Sequence, residues 1–316
     1  MVRVGSICSG YEGLGLGVCA AFGWDPWQSI VWHADNDKAA SKVLAHRFPD
    51  VPNLGDITTV DWATVPPVEV LIGGTPCQDL SHAGRRGGMK EGTRSNLWVQ
   101  MREAVAVLKP CMVVWENVAG ALSADADSEM EPCAGCVGDG TGEPVLRALG
   151  RVCGDLSTLG YDSRWTTVPA SAVGACHRRE RVFLAAYPAD APFPEWGISQ
   201  REHLGTGLER TAESGERVSP DTHSGTTTEW GDFQPAVVRW ERVLGRRAPA
   251  ATEPNGNGGQ RLSAPFAEWM LGLPDGWVTA VPELTPGDML RIVGNGCVPQ
   301  QAAYALQLLT SSHDSD

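Results

Sequence analysis

The chain has 316 residues, 42% of them hydrophobic and 20% charged, with a net charge of −13. This composition points to a globular protein with a real core, and no apolar run approaches the roughly 18–20 residues that a membrane span needs. An acidic total excludes a uniformly basic nucleic-acid binder, although positive charge gathered on one face would still suffice.

Residues 1–17 lack the basic start, apolar block and cleavage site of an export signal, so a cytoplasmic location is expected. The nine cysteines (Cys8, Cys19, Cys77, Cys111, Cys133, Cys136, Cys153, Cys176 and Cys297) are odd in number and irregularly spaced. That argues against a disulfide framework and for reduced thiols.

In chain order, residues 2–7 read as a buried strand, followed by a glycine-rich turn and a helix over 14–22. A short strand is expected over 30–33 and a helix over 38–48, with apolar Ala39, Val43 and Leu44 on one face. Residues 68–72 form a strand that ends in Gly73-Gly74; a helix follows over 97–108, a strand over 111–115, a helix over 145–159 and a strand over 181–186. Strands alternating with helices predict an α/β fold, a mainly parallel sheet with helices on both faces. Ligands of such sheets sit beyond the carboxyl ends of the strands. From about 188 to 259 the chain turns rich in Gly, Pro, Ser, Thr and Glu; apolar patterning returns over 262–273 and 289–309. The expected organisation is one domain from 1–187 and 289–316, interrupted by a smaller, loop-rich domain and hinge over 188–288.

Three features bear on chemistry. The first turn, Ser6 to Gly17, carries glycines at 10, 13, 15 and 17 without the Gly-x-Gly-x-x-Gly dinucleotide spacing. Asp35 and Asp37 stand near the next strand end, where each could hold ribose hydroxyls or cap the following helix. The second feature is Gly73-Gly74-Thr75-Pro76-Cys77-Gln78 at a strand end, where proline stiffens the turn that presents the Cys77 thiol. The third is Glu116-Asn117-Val118, a carboxylate directly after a buried Val-Val-Trp run, which is costly without a partner or a task. His177-Arg178-Arg179-Glu180-Arg181 precedes another strand. Thiol, carboxyl and arginines thus converge on one edge, as a site that attacks a ring, protonates it and holds an anionic backbone would require.

In this order the motifs resemble the bacterial and phage DNA cytosine-5 methyltransferases, over nearly all of the chain except about 188–260. Residues 6–17 resemble the family's cofactor motif, with Ser6-Ile7-Cys8 where Asp-Leu-Phe is usual. Asp35 matches the acidic residue on the cofactor ribose, Asn36 stands where an aromatic often stacks on adenine, and Gly55-Asp56-Ile57-Thr58 matches the next motif. Pro76-Cys77-Gln78 matches the nucleophile motif, and Glu116-Asn117-Val118 the one that binds and protonates the ring. His177-x-Arg179-x-Arg181 is similar to Gln-x-Arg-x-Arg. Residues 261–275 resemble the motif that organises the recognition domain, and Gly294-Asn295-Gly296-Cys297-Val298 the final Gly-Asn-Ser-Val motif.

The resemblance implies an S-adenosylmethionine-dependent, Rossmann-like methyltransferase fold and an inserted target recognition domain. It implies a methyl group placed on carbon 5 of a flipped-out cytosine in duplex DNA through a Cys77 adduct. The catalytic set is Cys77, Glu116, Arg179 and Arg181, with Arg179 favoured as the positive charge beside the thiolate. The cofactor set includes Cys8, Ser9, Gly10 and Gly13 of the first turn and Asp35, Asn36, Asp56 and Ile57 at the next two segments. Gly74, Pro76 and Leu97 flank the nucleophile loop on this list, and Asn295 and Val298 close it. DNA contacts are expected from Gln78, Ser81, Arg85, Arg86 and Arg94 of the glycine-rich loop 78–94, and from Asn117, Arg239 and Arg242. Arg239, Arg242, Arg246 and Arg247 read equally well as solvated surface arginines; Trp230 and Trp240 are further candidates for target reading. No metal is expected. Cys133-Ala134-Gly135-Cys136 is half a zinc site, but no second pair follows at a recognised spacing. Double-stranded DNA, a monomeric state and a cognate restriction endonuclease complete the expectation. The competing readings are a tRNA cytosine-5 methyltransferase of the same architecture and a catalytically silent DNA-binding module.

Overall fold

Val70, Leu71 and Ile72 form an unbroken apolar run, the mark of a strand covered on both faces, and all three are fully buried. The computed structural model describes residues 1–75, 97–122, 125–126, 146–191, 230–256 and 258–311. Within them the first half runs β1 (Val4–Ile7), α1 (Gly13–Phe22), α2 (Pro26–Ser29), β2 (Ile30–Ala34), α3 (Lys38–Arg47), β3 (Val70–Gly73), α4 (Trp98–Leu108) and β4 (Met112–Val118). The short strands β5 (Asp125–Ala126) and β6 (Leu146–Arg147) pair with each other before α5 (Ala148–Thr158), β7 (Tyr161–Pro169) and β8 (Glu180–Pro188). The remainder is α6 (Gln234–Leu244), the hairpin β9 (Thr252–Pro254) and β10 (Gln260–Leu262), α7 (Ala264–Met270), α8 (Pro286–Asn295) and α9 (Pro299–Thr310).

Six strands make the main sheet in the order β2-β1-β3-β4-β8-β7. The first four are mutually parallel, and β8 runs antiparallel to both of its neighbours. Alternation along the strands divides the interior into two cores. Val70, Ile72, Val114, Phe183 and Ala185 face a core shared with α1 and α9, whereas Leu71, Val113, Trp115, Val182 and Leu184 face one shared with α4 and α5. The result is the expected helix–sheet–helix layering with a mainly parallel sheet.

Two details differ from the sequence reading. Strand β7 was not expected, because it is an edge strand whose run Tyr161-Asp162-Ser163-Arg164-Trp165-Thr166-Thr167 is largely polar and half-exposed. Strand β8 is reversed, because only residues 170–179 separate it from β7. A parallel crossover needs about a dozen residues or more, usually a helix. Reversal puts the start of β8, rather than its end, at the carboxyl edge of β1, β3 and β4.

Residues beyond 230 add to the same body. Trp240, Phe266, Trp269, Ile292 and Leu306 join the core beneath α1. The loop after α7 is stitched inward: Glu268 accepts the N–H groups of Gly276, Val278 and Thr279, and Trp277 Nε1 donates to Tyr11 O at 2.8 Å. Among the described residues no helix is long and apolar enough to cross a membrane.

Candidate active site

A cleft of about 1110 Å³ opens at the carboxyl edge of the parallel strands. Its floor is the turn between β1 and α1. Cys8 (φ 53°), Gly10 (φ 56°) and Glu12 (φ 68°) all adopt left-handed backbone there, which turns the chain sharply between strand and helix. Gly10 N–H donates to Asp35 Oδ2 at 2.8 Å, and Asp37 N–H to Asp35 Oδ1 at 2.9 Å.

The two neighbouring aspartates separate cleanly by role. Asp37 is the N-cap of α3, accepting from the N–H groups of Ala39 and Ala40, and it pairs with Arg291 of α8. Both line the cleft, but Asp35 holds the Gly10 amide of the first turn rather than the start of α3. Burial raises its carboxyl above the usual range, opposed by the Gly10 and Asp37 amides. Across the cleft, Asp56 accepts from Thr58 N–H, Thr58 Oγ1 and Asn36 Nδ2 at 2.9, 2.8 and 3.1 Å, and these bonds hold its carboxyl below the usual range. Ser9, Gly13, Ile57, Gly74, Leu97 and Asn295 also line the cleft, and Val298 lies fully buried behind it as the N-cap of α9.

The opposite end of the cleft is built on β4. Glu116 lies diagonally across the strand pair from Arg181, which stands opposite Val118. Arg181 Nε lies 2.9 Å from Glu116 Oε1, with both side chains about nine-tenths buried. Burial lifts the Glu116 carboxyl above the usual range, opposed by Arg181 and Arg179. A carboxyl so placed can carry a proton to a ring nitrogen, and its arginine steadies the charged form. Gly74 leaves room for it, since a Cβ there would stand 3.0 Å from Glu116 Oε2.

Arg179 is tied to the final motif while its charge also acts on Glu116. Its own backbone is left-handed (φ 22°), and its Nη2 donates to Gly294 O and Gly296 O at 2.8 and 2.5 Å. Gln301 Nε2 holds the Arg179 carbonyl at 2.8 Å, and Tyr11 Oη donates to Cys297 O at 2.5 Å. The final motif is thereby tied to the arginine segment and to the first turn. His177 Nε2 donates to Met270 O at 2.9 Å, so imidazole supplies a backbone clasp at the position of the family's glutamine.

Pro76, Cys77, Gln78, Ser81, Arg85, Arg86 and Arg94 lie outside the described residues, as do Cys133 and Cys136. Thr75, which precedes the Pro76-Cys77 segment, is described. Thr75 Oγ1 accepts from Trp115 Nε1 at 3.1 Å and from Asn117 Nδ2 at 3.2 Å, and Asn117 Nδ2 also donates to Thr75 O at 3.1 Å. Asn117, expected at DNA, is buried with its amide on Thr75 and also lines the cleft. Trp240, a candidate for target reading, is fully buried and donates to Trp269 O. Trp230 stacks on Phe266 at 5.2 Å. Arg239 is exposed but braces Gly174 O and Ala175 O, and Arg242 is exposed. The sequence reading missed the Thr75–Asn117 clasp, Tyr11, Gln301 and a buried Glu12–His33 contact. The one available signal was a charged residue, Glu12, inside an apolar helix start.

Comparison with known proteins bears on this arrangement. Residues 2–204 match the family described as C-5 cytosine-specific DNA methylase. The chain is 33% identical over 221 residues to the DNA N-6-adenine-methyltransferase of Escherichia phage P1, covering 58% of this chain and 28% of that protein. It is 30% identical over 154 residues to the type II methyltransferase M.NgoBV of Neisseria gonorrhoeae, covering 49% of this chain and 33% of that one. The chain thus spans about a third or less of the length of these curated relatives. A crystal structure described as a DNA modification methyltransferase encoded within an E. coli prophage superposes with a TM-score of 0.56 at 19% identity, covering 99% of this chain and 100% of that chain.

Proposed function

The chain belongs to the C-5 cytosine-specific DNA methylases, and on that premise we propose that it methylates carbon 5 of cytosine in duplex DNA through a covalent Cys77 adduct. The observation that carries the reading is the buried Glu116–Arg181 pair, 2.9 Å apart, beside the braced root of the Pro76-Cys77 loop. S-adenosylmethionine, the family's methyl donor, supplies an electrophilic methyl group when bound. The cleft fits it: Asp35 offers its carboxylate to ribose hydroxyls, and Asp56 faces the adenine end with Asn36 and Ile57.

The Cys77 thiolate adds to carbon 6 of the flipped base, and the electrons of the 5,6 double bond move toward the ring as Glu116 gives its proton to N3. Carbon 5, now enamine-like, takes the methyl group as the methyl–sulfur bond of the sulfonium donor breaks and the sulfur leaves as a neutral thioether. Loss of the carbon-5 proton to a base restores the double bond, the carbon 6–sulfur bond breaks, and the N3 proton returns to Glu116. Arg181 keeps Glu116 aimed at the ring; Arg179, held by the 294–296 carbonyls, is the positive charge favoured beside the Cys77 thiolate. Target reading falls to 188–288, with exposed Arg242 as one contact, and a partner endonuclease would give the mark its protective use. The adenine activity in the phage P1 relative's name needs no thiol, since an exocyclic amine attacks directly, and most of that protein has no counterpart in this chain.

Tritium transfer from S-adenosylmethionine to duplex DNA, with tRNA and adenine-only duplexes in parallel, tests the reading. Label on cytosine-containing duplex is expected, lost in Cys77→Ser with DNA binding largely retained. Label on tRNA alone, on adenine, or normal turnover of Cys77→Ser would overturn it.

A further inference from the structure

Beneath the cofactor cleft lies a pair of ionisable side chains that the proposed chemistry does not use. Glu12 and His33 are both fully buried, and His33 Nδ1 lies 2.8 Å from Glu12 Oε2. Glu12 ends the first turn in left-handed backbone, a conformation that is strained for a non-glycine residue. Its carboxylate folds over the start of α1, where a Cβ on Gly15 would come within 2.1 Å of Oε1. His33 packs edge-on against Phe48, itself against Trp277, whose Nε1 holds Tyr11 O. Burying such a pair is expensive, and apolar side chains of the same volume would often serve stability as well. The pair therefore needs a reason in geometry.

That reason is visible in the connections between the first turn and the end of β2. Gly10 meets Asp35 in the cleft; Glu12, two residues on, meets His33, two residues back. These are two rungs between the same two segments, one lining the cleft and one buried below it, with Cys8 N–H on Ala34 O as a backbone tie beside them. His33 also anchors the next cleft segment, its N–H donating to Pro52 O and its carbonyl accepting from Leu54 N–H. We infer that Glu12 and His33 are positioning residues for the cofactor: the buried rung holds the Glu12 turn and thereby sets where the Asp35 carboxylate stands for the ribose hydroxyls. The inference rests on the reading of this cleft as the S-adenosylmethionine site.

Binding rather than turnover gives the test. Equilibrium dissociation constants for S-adenosylmethionine, and for an S-adenosylhomocysteine analogue lacking the ribose hydroxyls, are measured on wild type, Glu12→Gln, His33→Gln and Asp35→Asn, with thermal melting as the control for folding. Each buried-rung variant is expected to weaken S-adenosylmethionine roughly threefold to tenfold, no more than Asp35→Asn does, while leaving the hydroxyl-free analogue within about twofold. In the Asp35→Asn background the same substitutions should change affinity less than twofold, because they act through Asp35. A folded variant that binds S-adenosylmethionine as wild type does, or that loses both ligands equally, overturns the inference. So does a full effect in the Asp35→Asn background. If neither single variant folds, Glu12→Gln/His33→Gln, which carries no buried charge, is read by the same criteria. Failure of the wild type to bind S-adenosylmethionine, or of Asp35→Asn to weaken it, would instead remove the reading of the cleft.

Discussion

The two ends of the cleft are built on different principles. The end proposed for the cofactor is local: Gly10 and Asp35 follow the first two strands, Asp56 stands in the segment between α3 and β3, and its cleft-facing hydrogen bonds run to backbone amides or short side chains. The catalytic end is assembled from afar, since Glu116 meets Arg181, Arg179 reaches Gly294 and Gly296, and Gln301 returns to Arg179. An end made of many small bonds loses affinity gradually, whereas one resting on a buried ion pair fails abruptly when a partner is removed.

The comparison is broken most forcefully at the catalytic end. Arg181→Ala leaves Glu116 buried without its 2.9 Å partner, so a loss of about 3–5 kcal/mol in stability is expected. Methyl transfer should fall by roughly two to three orders of magnitude. Denaturant unfolding and single-turnover rates check both; a fully active, wild-type-stable variant would show the pair to be idle. Asn117→Ala frees the root of the nucleophile loop and should slow single-turnover transfer roughly tenfold to a hundredfold, with DNA affinity held. Loss of DNA affinity at an unchanged rate would return Asn117 to the interface.

The cofactor end should yield less. Asp35→Asn is expected to weaken S-adenosylmethionine about tenfold, the scale of a hydrogen bond to a charged group. Its neighbour provides the contrast: Asp37→Ala removes the α3 cap and about 1 kcal/mol of stability, with cofactor affinity within about twofold. Exchange of these two outcomes would reverse their assignments. The smallest effect is a pH dependence. Because burial raises the Glu116 carboxyl above its usual range, its protonated form favours the folded state. That contribution is complete below the unfolded glutamate pKa of about 4.3 and is lost as pH rises through the higher folded value. Wild type should therefore lose stability relative to Glu116→Gln as pH is raised through that window. A difference with no slope, or with the opposite slope, would place Glu116 in a solvated, charged state.

Local features were legible in the sequence and long-range ones were not. The apolar run of β3, the helix periodicity of α3 and the glycine-rich turn of α1 are set by near neighbours, and their boundaries fall within a few residues of expectation. The edge strand β7 has too little apolar patterning to announce itself, and the reversal of β8 follows from a short connection that a strand-by-strand reading passes over. Asp35 and Asp37 were indistinguishable until the cap on α3 separated them. Asn117 read as an interface residue because its motif is functional, yet its partner, Thr75, lies 42 positions away. Trp240 read as a recognition residue because tryptophan also serves interfaces, yet its indole fills the core under α7.

The central claim is that Cys77 forms a bond to cytosine in a pocket governed by Glu116 and Arg181. Incubation with 5-fluorocytosine duplex DNA and S-adenosylmethionine tests it most directly, because fluorine at carbon 5 cannot leave as a proton does and the adduct stays trapped. A complex that survives denaturing electrophoresis, with the nucleotide mapped by mass spectrometry to Cys77 and its yield sharply lowered in Arg181→Ala, is the expected result. An active preparation that turns over normal DNA but gives no adduct, or gives one on another residue, would contradict the account.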